Sequence, residues 1–515
     1  MVTGTTKQTD EPAADPIPLV DRAHLESAVD GILSRHPAVG VAIGVIHGGS
    51  VEFFHGHGFE DINSETPITE HTVFRIGSIT KTFTSMAVMQ LWEQGLVDLD
   101  APANDYLRAF RLIPAQMDWR AATLRHLLTH TAGIPDVLRV VDLLHPSWGP
   151  FFARPPVPSV PVGEPLPSLA EYYRDGIRLV TEPGTAFAYS GHGFATLGQV
   201  VEDVSGEPLD RYFREHIFEQ LGMSHTDLVR SERVKAHLAT GYVLGRRGPE
   251  PVPDREWLGK AGGGIYSSSR DLFRYAAALL GANEHGSILQ PETLAMMFER
   301  HHSPDPRLVA MGLGFFRHDP DGHRIVGHDG LLPGFNSSLL VAPDDGLAVF
   351  GFTNGSSGAT LWLPDEMAKL LQALLDIPDP MMHSDIPHHP ELWRELCGVY
   401  RLPPVGDLRG RLMMAGGARV LVRDGQLKIR LLAPIPAMYN GFPLHPDNEN
   451  DPYVFRIDLS GLGLSPVRLV FDCRAGPGRR SIHTDLGGQP ISLIERPTFP
   501  RLRAARTRGD AELPQ

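Results

Sequence analysis

The chain has 515 residues, of which 42% are hydrophobic and 21% charged, and a formal net charge of −14. This composition is typical of globular proteins and excludes a wholly disordered chain, and the length suggests more than one domain. The 61 acidic residues outnumber the 47 basic ones. This balance argues against a nucleic-acid partner, because such binding needs surplus cations to displace phosphate counterions.

The ends of the sequence carry no export or membrane signal. Residues 1–20 contain acids and prolines but no apolar run of signal-peptide length, and we interpret them as a disordered leader. Residues 501–515 are interpreted as a flexible tail. No stretch approaches the roughly 20 apolar residues that span a bilayer. We therefore expect a soluble, cytoplasmic protein with no membrane span.

The first elements in chain order are a helix and a hairpin. Apolar residues recur at helical spacing over residues 22–35, which predicts a helix. Two β-prone runs then flank His47-Gly48-Gly49-Ser50, and this pattern indicates a hairpin. Helical spacing returns from Ser78 to about Gly95, a residue that suits a helix end.

The middle of the chain is predicted to be mostly helical, with long loops, over residues 100–320. One segment of it, residues 153–169, is dense in proline and should be extended and solvent-facing. Such a segment is either a lid over the site or an inert insertion, and the sequence leaves both open.

Strand signals return late, in residues 323–330, 337–343 and 347–354, and a helix follows at about 361–375. Hairpins between neighbours favour an antiparallel sheet. The first two strands of the chain must then join the last three, with the helical block inserted between them.

A proline-broken linker at 377–390 separates two predicted domains, a larger one at 21–376 and a small β domain at 391–500. The only two cysteines, Cys397 and Cys473, lie in the smaller domain. The sequence does not decide whether they form a disulfide, but two unpaired buried thiols fit a reducing compartment better.

The segment FRIGSITKTFTS carries the first chemical signal. Ser78 begins a helical pattern, near the positive end of the helix dipole, and Lys81 follows three residues later on the same helix face. An uncharged lysine there could take the serine proton, although its ordinary pKa of about 10.4 would have to be lowered by its surroundings. Only six of the 47 basic residues are lysines, which makes the position of Lys81 informative. The simpler interpretation is a capping serine followed by a surface lysine.

Two further segments could complete a site. Tyr189 follows a Pro-Gly turn and could share proton transfer with the lysine. His328 and Gly330 end a predicted strand, and the glycine would allow close backbone approach to a ligand. Taken singly, the tyrosine and the histidine are each more commonly structural residues.

A zinc site is the alternative for His126 and His130, four residues apart in a predicted helix. No glutamate separates them as in metalloproteases, and no third ligand is evident. We predict no metal and no cofactor.

Together these segments resemble the serine β-lactamase and penicillin-binding-protein family, and most closely its class C β-lactamase, D-aminopeptidase and esterase-like branch. The resemblance covers about residues 25–375. It rests on Ser78-x-x-Lys81, Tyr189-Ser190 and His328-x-Gly330 in this order, and on the phrases LLTHTAGIP (127–135), PGTAFAYS (183–190), AGGGIYSSSRDL (261–272) and PGFNSSLLV (333–341).

The resemblance implies an α+β fold, in which an antiparallel sheet of β-lactamase/transpeptidase type is flanked by helices and joined by an all-helical subdomain. The C-terminal β region resembles the lipocalin-like appendages of some members. The resemblance also implies that Ser78 is acylated, that Lys81 and Tyr189 relay protons, and that the amides of Ser78 and Leu331 form the oxyanion hole.

Two positions depart from the family pattern. The family's tyrosine-x-asparagine is Tyr189-Ser190-Gly191 here, so the asparagine amide is missing, and His192 or Asn336 are the candidates to replace it.

The family's lysine-threonine-glycine is His328-Asp329-Gly330 here. This change removes a permanent cation and adds a carboxylate, which weakens recognition of a substrate carboxylate. Both departures argue against an efficient β-lactamase, and histidine at this position recurs in esterase-like and aminopeptidase-like members.

The sequence therefore predicts a serine hydrolase that cleaves a small ester, amide or peptide through an acyl-enzyme. A D-amino-acid peptidase or a penicillin-binding protein with weak β-lactam turnover is the second hypothesis. An inactive scaffold that uses the cleft for binding is the third. A homo-oligomer is left open.

Overall fold

The computed structural model describes residues 22–135, 159–282, 287–380, 382–383, 385–403, 417–432, 440–485 and 488–496. Within these residues no helix is both long and apolar enough to cross a bilayer. The helices are α1 (Arg22–Arg35), α2 (Thr80–Glu93), α3 (Leu124–Leu128), α4 (Leu169–Tyr172), α5 (Gly191–Ser205), α6 (Leu209–Phe213), α7 (Glu232–Lys235), α8 (Lys260–Gly263), α9 (Ser269–Leu279), α10 (Pro291–Met297), α11 (Ala359–Leu374) and α12 (Pro390–Leu396).

The larger part of the chain contains sixteen of the described strands. They are β1 (Gly40–His47), β2 (Ser50–Asp61), β3 (Thr66–Pro67), β4 (Val73–Arg75), β5 (Leu112–Ile113), β6 (Ser159–Pro161), β7 (Ile177–Arg178), β8 (Tyr242–Gly245), β9 (Gly248–Pro251), β10 (Arg255–Trp257), β11 (Tyr266–Ser268), β12 (Ala310–Met311), β13 (Phe316–His318), β14 (Ile325–Leu332), β15 (Phe335–Ala342) and β16 (Leu347–Thr353).

Eight of these strands form one antiparallel sheet in the order β12-β13-β14-β15-β16-β1-β2-β3. The predicted joining of the early hairpin to the late strands is confirmed, because β1 pairs with β16 from Val41 opposite Thr353 to His47 opposite Leu347. The sequence missed the short edge strands β3 and β12 and the short strand β13 next to β12. The block between β2 and β12 is also less helical than predicted, since it holds several two-stranded pairs.

Helices cover both faces of this sheet, which explains why β1 is buried almost throughout. Side chains alternate along a strand. Val41, Ile43 and Val45 therefore pack with α1 and α11, whereas Ala42 and Ile46 face the opposite side and belong to the core that includes α2 and α9.

The C-terminal part is a nine-stranded antiparallel sheet that curves into a nearly closed barrel, which confirms the predicted all-β domain. Its strands are β17 (Gly398–Arg401), β18 (Ala418–Arg423), β19 (Gln426–Leu431), β20 (Phe442–Pro443), β21 (His445–Pro446), β22 (Val454–Ile457), β23 (Val467–Asp472), β24 (Ser481–Thr484) and β25 (Ile491–Glu495). The edge strands β20 and β21 are consecutive in the chain, so the two edges of the sheet meet. Apolar side chains such as Tyr400, Ile429 and Ile482 pack together as its core.

Cys397 and Cys473 are unpaired, as expected, but half-buried rather than buried. The predicted domain boundaries at 376 and 391 stay a prediction.

The barrel packs against the segment that leads into β12. Leu308 is buried with Val454 and Val470, two valines that point out of the barrel. Arg307 pairs with Asp451 across the same contact. The next residue, Val309, packs in a separate cluster with Tyr189. The segment around Leu308 thus lies between the barrel and Tyr189.

We expect Leu308→Ala to lower the free energy of unfolding by about 2–5 kcal/mol, because it empties a buried leucine site. Leu96→Ala is the matched control, since Leu96 is 50% exposed. Chemical denaturation of both variants measures the difference. Equal stability of the two variants would contradict the packing of the barrel against Leu308.

Candidate active site

Ser78 lies in a single helical turn, Gly77–Ile79, directly before α2. Gly77 has φ +52, in the left-handed region, and a Cβ there would lie 2.8 Å from the amide nitrogen of Leu331. Both facts favour glycine at this position. The turn therefore holds Ser78 at the positive end of α2, and only 9% of the serine is exposed.

Lys81 lies one helical turn after the serine, as its spacing predicts. Its Nζ donates a 3.0 Å hydrogen bond to Ser78 Oγ and a 2.6 Å hydrogen bond to the carbonyl of Gly262 in α8. The lysine is only 2% exposed. Helix α8 is held against α2 because Thr84 donates to the carbonyl of Ala261 at 2.7 Å. The amine is thus fixed between the serine and a backbone carbonyl.

Tyr189 lies just before α5, and the centre of its ring is 4.8 Å from Lys81 Nζ. His130 holds this segment on both sides of the tyrosine. Its carbonyl accepts from the amide of Ala188 at 2.8 Å, and its Nδ1 accepts from the amide of Ser190 at 3.2 Å. The centres of the His130 and Tyr189 rings are 4.3 Å apart.

The prediction that His130 lies in a helix together with His126 is wrong. Helix α3 ends at Leu128, and His130 has φ +55, outside the helix. Its Nδ1 faces Ser190, and the Nδ1 of His126 accepts from the amide of Thr123, so the two histidines are not arranged as a helical metal pair. The sequence reasoning missed His130 as a positioning residue, although it stands in the family phrase LLTHTAGIP.

His130 is buried with no partner for Nε2. Burial lowers its pKa well below the usual 6.5, and the neighbouring Lys81 and His328 add to this lowering. The neutral imidazole is the form that can accept from Ser190, so the low pKa preserves the hydrogen bond.

His328 and Gly330 lie inside β14 rather than at its end. His328 is 3% exposed, its ring centre is 6.0 Å from that of Tyr189, and its Nδ1 donates to the carbonyl of Asp329 at 2.7 Å. A Cβ on Gly330 would lie 2.1 Å from the carbonyl oxygen of Ile76. Ser337 donates to the same oxygen at 2.7 Å, which ties the sheet to the serine turn.

The amide of Leu331 faces the unpaired side of β14. A two-residue turn joins Leu332 to Phe335, so these two residues form a hydrogen-bonded pair. In an antiparallel ladder the next pair, Leu331 opposite Asn336, is not hydrogen-bonded, and the backbone groups of Leu331 therefore point away from β15. On that other side, β13 pairs with β14 only up to Gly327. The amide of Leu331 is therefore directed into the space beside the serine turn.

Asp329 departs from the expectation that it adds a carboxylate to the cleft. Side chains alternate along β14, so Asp329 and His328 point to opposite faces of the sheet. The Asp329 carboxylate accepts from Ser338 at 2.7 Å on the face of α11. Of the two charge changes expected from this motif, only the loss of the lysine cation therefore affects the cleft.

The two candidates for replacing the family asparagine are held elsewhere. Asn336 donates to Thr360 of α11 at 3.2 Å, on the face opposite Lys81, so it does not replace the amide. His192 is buried in α5, with its Nδ1 2.6 Å from the hydroxyl of Tyr173. The backbone of Gly191 itself lies close to Lys81, because a Cβ on Gly262 would be 3.5 Å from the Gly191 carbonyl and 3.6 Å from Nζ.

A family model described as Beta-lactamase matches residues 25–374, more than half of the chain. The chain belongs to the beta-lactamase family. Penicillin-binding protein 4 of Amycolatopsis lactamdurans is 28% identical over 377 residues, which are 70% of this chain and 92% of that protein. A D-aminopeptidase of Gluconobacter oxydans (strain 621H) is 27% identical over 362 residues, 69% of this chain and 62% of that protein.

Among solved structures, the octameric penicillin-binding protein homologue from Pyrococcus abyssi is similar with a TM-score of 0.58 and 23% identity. The match covers 92% of this chain and all of that one (100%). At this identity the likeness shows the fold alone. The predicted family and fold are confirmed.

We expect Gly330→Ala to destabilise the protein by about 1–3 kcal/mol, because the new methyl group overlaps the carbonyl of Ile76. Gly245→Ala is the control, since a Cβ there meets its nearest neighbour at 3.5 Å. Thermal unfolding of both variants measures the difference. A Gly330→Ala protein as stable as the control would show that the sheet and the serine turn are not in close contact.

The lowered pKa of His130 predicts a pH dependence of stability. Below pH 6.5 the unfolded chain binds a proton at this histidine and the folded protein does not, so stability is lost as pH falls. Between pH 7.5 and 5.5 this loss is on the order of 1 kcal/mol. Asparagine keeps a hydrogen-bond acceptor and tolerates a left-handed φ. We therefore expect the free energy of unfolding of His130→Asn, measured with urea, to fall less than that of wild type between these two pH values, by the amount of this loss.

The control for this experiment is His24→Asn, at an exposed histidine. It should show the same difference between the two pH values as wild type. An identical difference in His130→Asn would mean that His130 is protonated in the folded protein.

Proposed function

We propose that this chain is a serine hydrolase that cleaves a small ester or amide through an acyl-enzyme on Ser78. The observation that carries the proposal is the 3.0 Å hydrogen bond between Lys81 Nζ and Ser78 Oγ, two buried groups at the start of one helix. A buried lysine is disfavoured in its charged form, and the uncharged amine is the form that accepts a proton.

In the proposed reaction, Lys81 accepts the hydroxyl proton as Ser78 Oγ attacks the carbonyl carbon of the substrate. The negative charge that develops on the carbonyl oxygen is stabilised by the amides of Ser78 and Leu331. The leaving group takes a proton from Lys81 or Tyr189, whose ring lies 4.8 Å from the amine. Water then attacks the acyl-enzyme with the same groups acting in reverse.

The chemistry of β14 supports a substrate that needs no carboxylate contact on this strand, which favours an ester or an amide over a penicillin. A histidine replaces the permanent cation that would bind a substrate carboxylate there, and an imidazole carries no permanent charge. A D-amino-acid peptidase is the second candidate, supported by the similarity to the D-aminopeptidase of Gluconobacter oxydans. Whether this chain forms a homo-oligomer, as the octameric structural relative does, is tested by light scattering on the purified protein.

A panel of p-nitrophenyl esters, D-amino-acid amides and a chromogenic β-lactam tests the function. We expect Ser78→Ala to lower kcat/KM on the preferred substrate by about 10³-fold or more, because the nucleophile is lost. Ser85→Ala is the matched control, since Ser85 is buried in the same helix and its Oγ has no hydrogen-bond partner. The ratio of ester to D-amide turnover decides between the two candidates.

Equal turnover by wild type and Ser78→Ala would contradict the proposal. The hypothesis of an inactive scaffold is tested on the same proteins with a fluorophosphonate probe. Intact mass should increase by one adduct in wild type and in Ser85→Ala but not in Ser78→Ala. No adduct on any of the three would favour the scaffold.

A further inference from the structure

A cavity of about 220 Å³ lies beside the tip of the β14–β15 hairpin. Three of its lining residues are arginines and one is an acid, Asp254, so its wall carries a positive charge. Most of the other lining side chains are apolar, among them Trp257 and Phe335. The volume equals the share of roughly seven water molecules in the liquid. This combination suits a small organic anion with an apolar body.

The acid does not cancel the charge of the cavity. One oxygen of Asp254 accepts from Arg75 at 2.8 Å, and the other pairs with Arg230 at 3.3 Å. Arg255 instead donates to the hydroxyl and the carbonyl of Ser159, which are neutral acceptors. Three cations thus share one carboxylate, and a net positive charge is left for a ligand.

Arg75 is the most rigid of the three cations. It is 7% exposed, its guanidinium carbon lies 4.8 Å from the ring centre of Tyr266 and 5.8 Å from that of Trp257, and a second hydrogen bond runs to the carbonyl of Arg255. Its Nε is buried with no hydrogen-bond partner. A buried donor without an acceptor is costly, and an anion in the cavity would compensate the charge of this guanidinium.

Segments that carry the serine site also line the cavity. Arg75 ends β4 three residues before Ser78. Leu332 in the cavity wall follows Leu331, whose amide faces the serine turn. Trp257 ends β10, and the same segment continues into α8, whose Gly262 carbonyl binds Lys81.

The proline-rich segment pairs with a strand that lines this cavity. Its described part contains β6, which pairs with β10 from Ser159 opposite Trp257 to Pro161 opposite Arg255. The two hydrogen bonds from Arg255 to Ser159 attach the segment to the cavity wall. These contacts attach residues 159–161 to the strand that lines the cavity, and residues 153–158 lie outside the described part of the chain.

We propose that this cavity binds a carboxylate carried by the substrate, so that the preferred ester or amide has a free carboxylate on its acyl group or on an aryl leaving group. This proposal rests on the proposed function. The cation that the family pattern would place on β14 is then replaced by guanidinium groups in the neighbouring cavity. Bidentate hydrogen bonding makes guanidinium the side chain best suited to a carboxylate.

Two matched pairs of esters test the proposal. p-Nitrophenyl hemiglutarate is compared with p-nitrophenyl pentanoate, and 4-carboxyphenyl acetate with phenyl acetate, so that each pair differs by one carboxylate. We expect wild type to prefer the charged member of one pair by at least tenfold in kcat/KM. Arg230→Gln should reduce that preference about tenfold, because it removes a cation of the cavity.

Arg247→Gln is the control, since Arg247 is exposed in the turn between β8 and β9 and does not line the cavity. It should keep the wild-type preference. Circular dichroism checks that each variant is folded. Arg75→Lys is a second variant, which keeps the positive charge but loses the planar guanidinium group. Equal rates on both members of both pairs, with turnover that still requires Ser78, would overturn the carboxylate proposal and leave the proposed function standing.

A binding arm separates this proposal from a failure of the hydrolase function. Titration calorimetry with sodium glutarate, and with pentanamide as the uncharged probe, is run on Ser78→Ala, alone and combined with Arg230→Gln. Glutarate binding that is weakened at least fivefold by Arg230→Gln supports a carboxylate site even without turnover. Glutarate binding with no ester preference in active protein would overturn the substrate assignment, since the cavity would then bind a free acid. No binding of either probe, together with equal ester rates, contradicts the site altogether.

Discussion

The close approach of two backbones, at Gly77 and at Gly330, is the constraint on which the candidate site depends. A side chain at either position would overlap the other segment, since a Cβ would lie 2.8 Å from the Leu331 amide in one case and 2.1 Å from the Ile76 carbonyl in the other. Because the contact is made by main chain, the start of α2 and the strand β14 have a fixed relative position. The serine and the amide of Leu331 are placed by that contact rather than by flexible side chains.

The remaining groups are held by hydrogen bonds to this frame. Lys81 is fixed by the carbonyl of Gly262, and the Tyr189 segment by His130, whose left-handed backbone lets one residue accept from the amides on either side of the tyrosine. The barrel contributes at a distance. Leu308 packs on the barrel, while the adjacent Val309 packs with Tyr189, so the C-terminal domain supports the wall behind the tyrosine.

Local periodicity explains what could be predicted from the sequence. The contact of Ser78 with Lys81 follows from helix geometry alone, and the hairpin at Gly48-Gly49 and the late strands follow from turn residues between apolar runs. The family motifs indicated which segments of the chain, distant in sequence, come together at the site. Two errors arose where the outcome depends on register or on a single dihedral angle. Asp329 was expected beside His328 in the cleft, but alternation along the strand turns its side chain to α11. His130 was placed in a helix that ends two residues earlier.

The arginine-lined cavity could not be found from the sequence, because its residues come from segments separated by up to 260 positions in the chain, Arg75 and Phe335 being the most distant. Once these segments are assembled, the loss of the lysine cation from β14 has a different meaning. With Asp329 on the far side of the sheet, the cleft beside His328 is not made acidic, and the positive charge lies one wall away, around Arg75 and Arg230. A change of charge in a motif therefore does not by itself show that recognition of an anion is lost. It shows that the cation no longer stands on that strand. The proposed anion site lies instead at the cavity lined by Arg75, whose buried guanidinium is held near the rings of Tyr266 and Trp257.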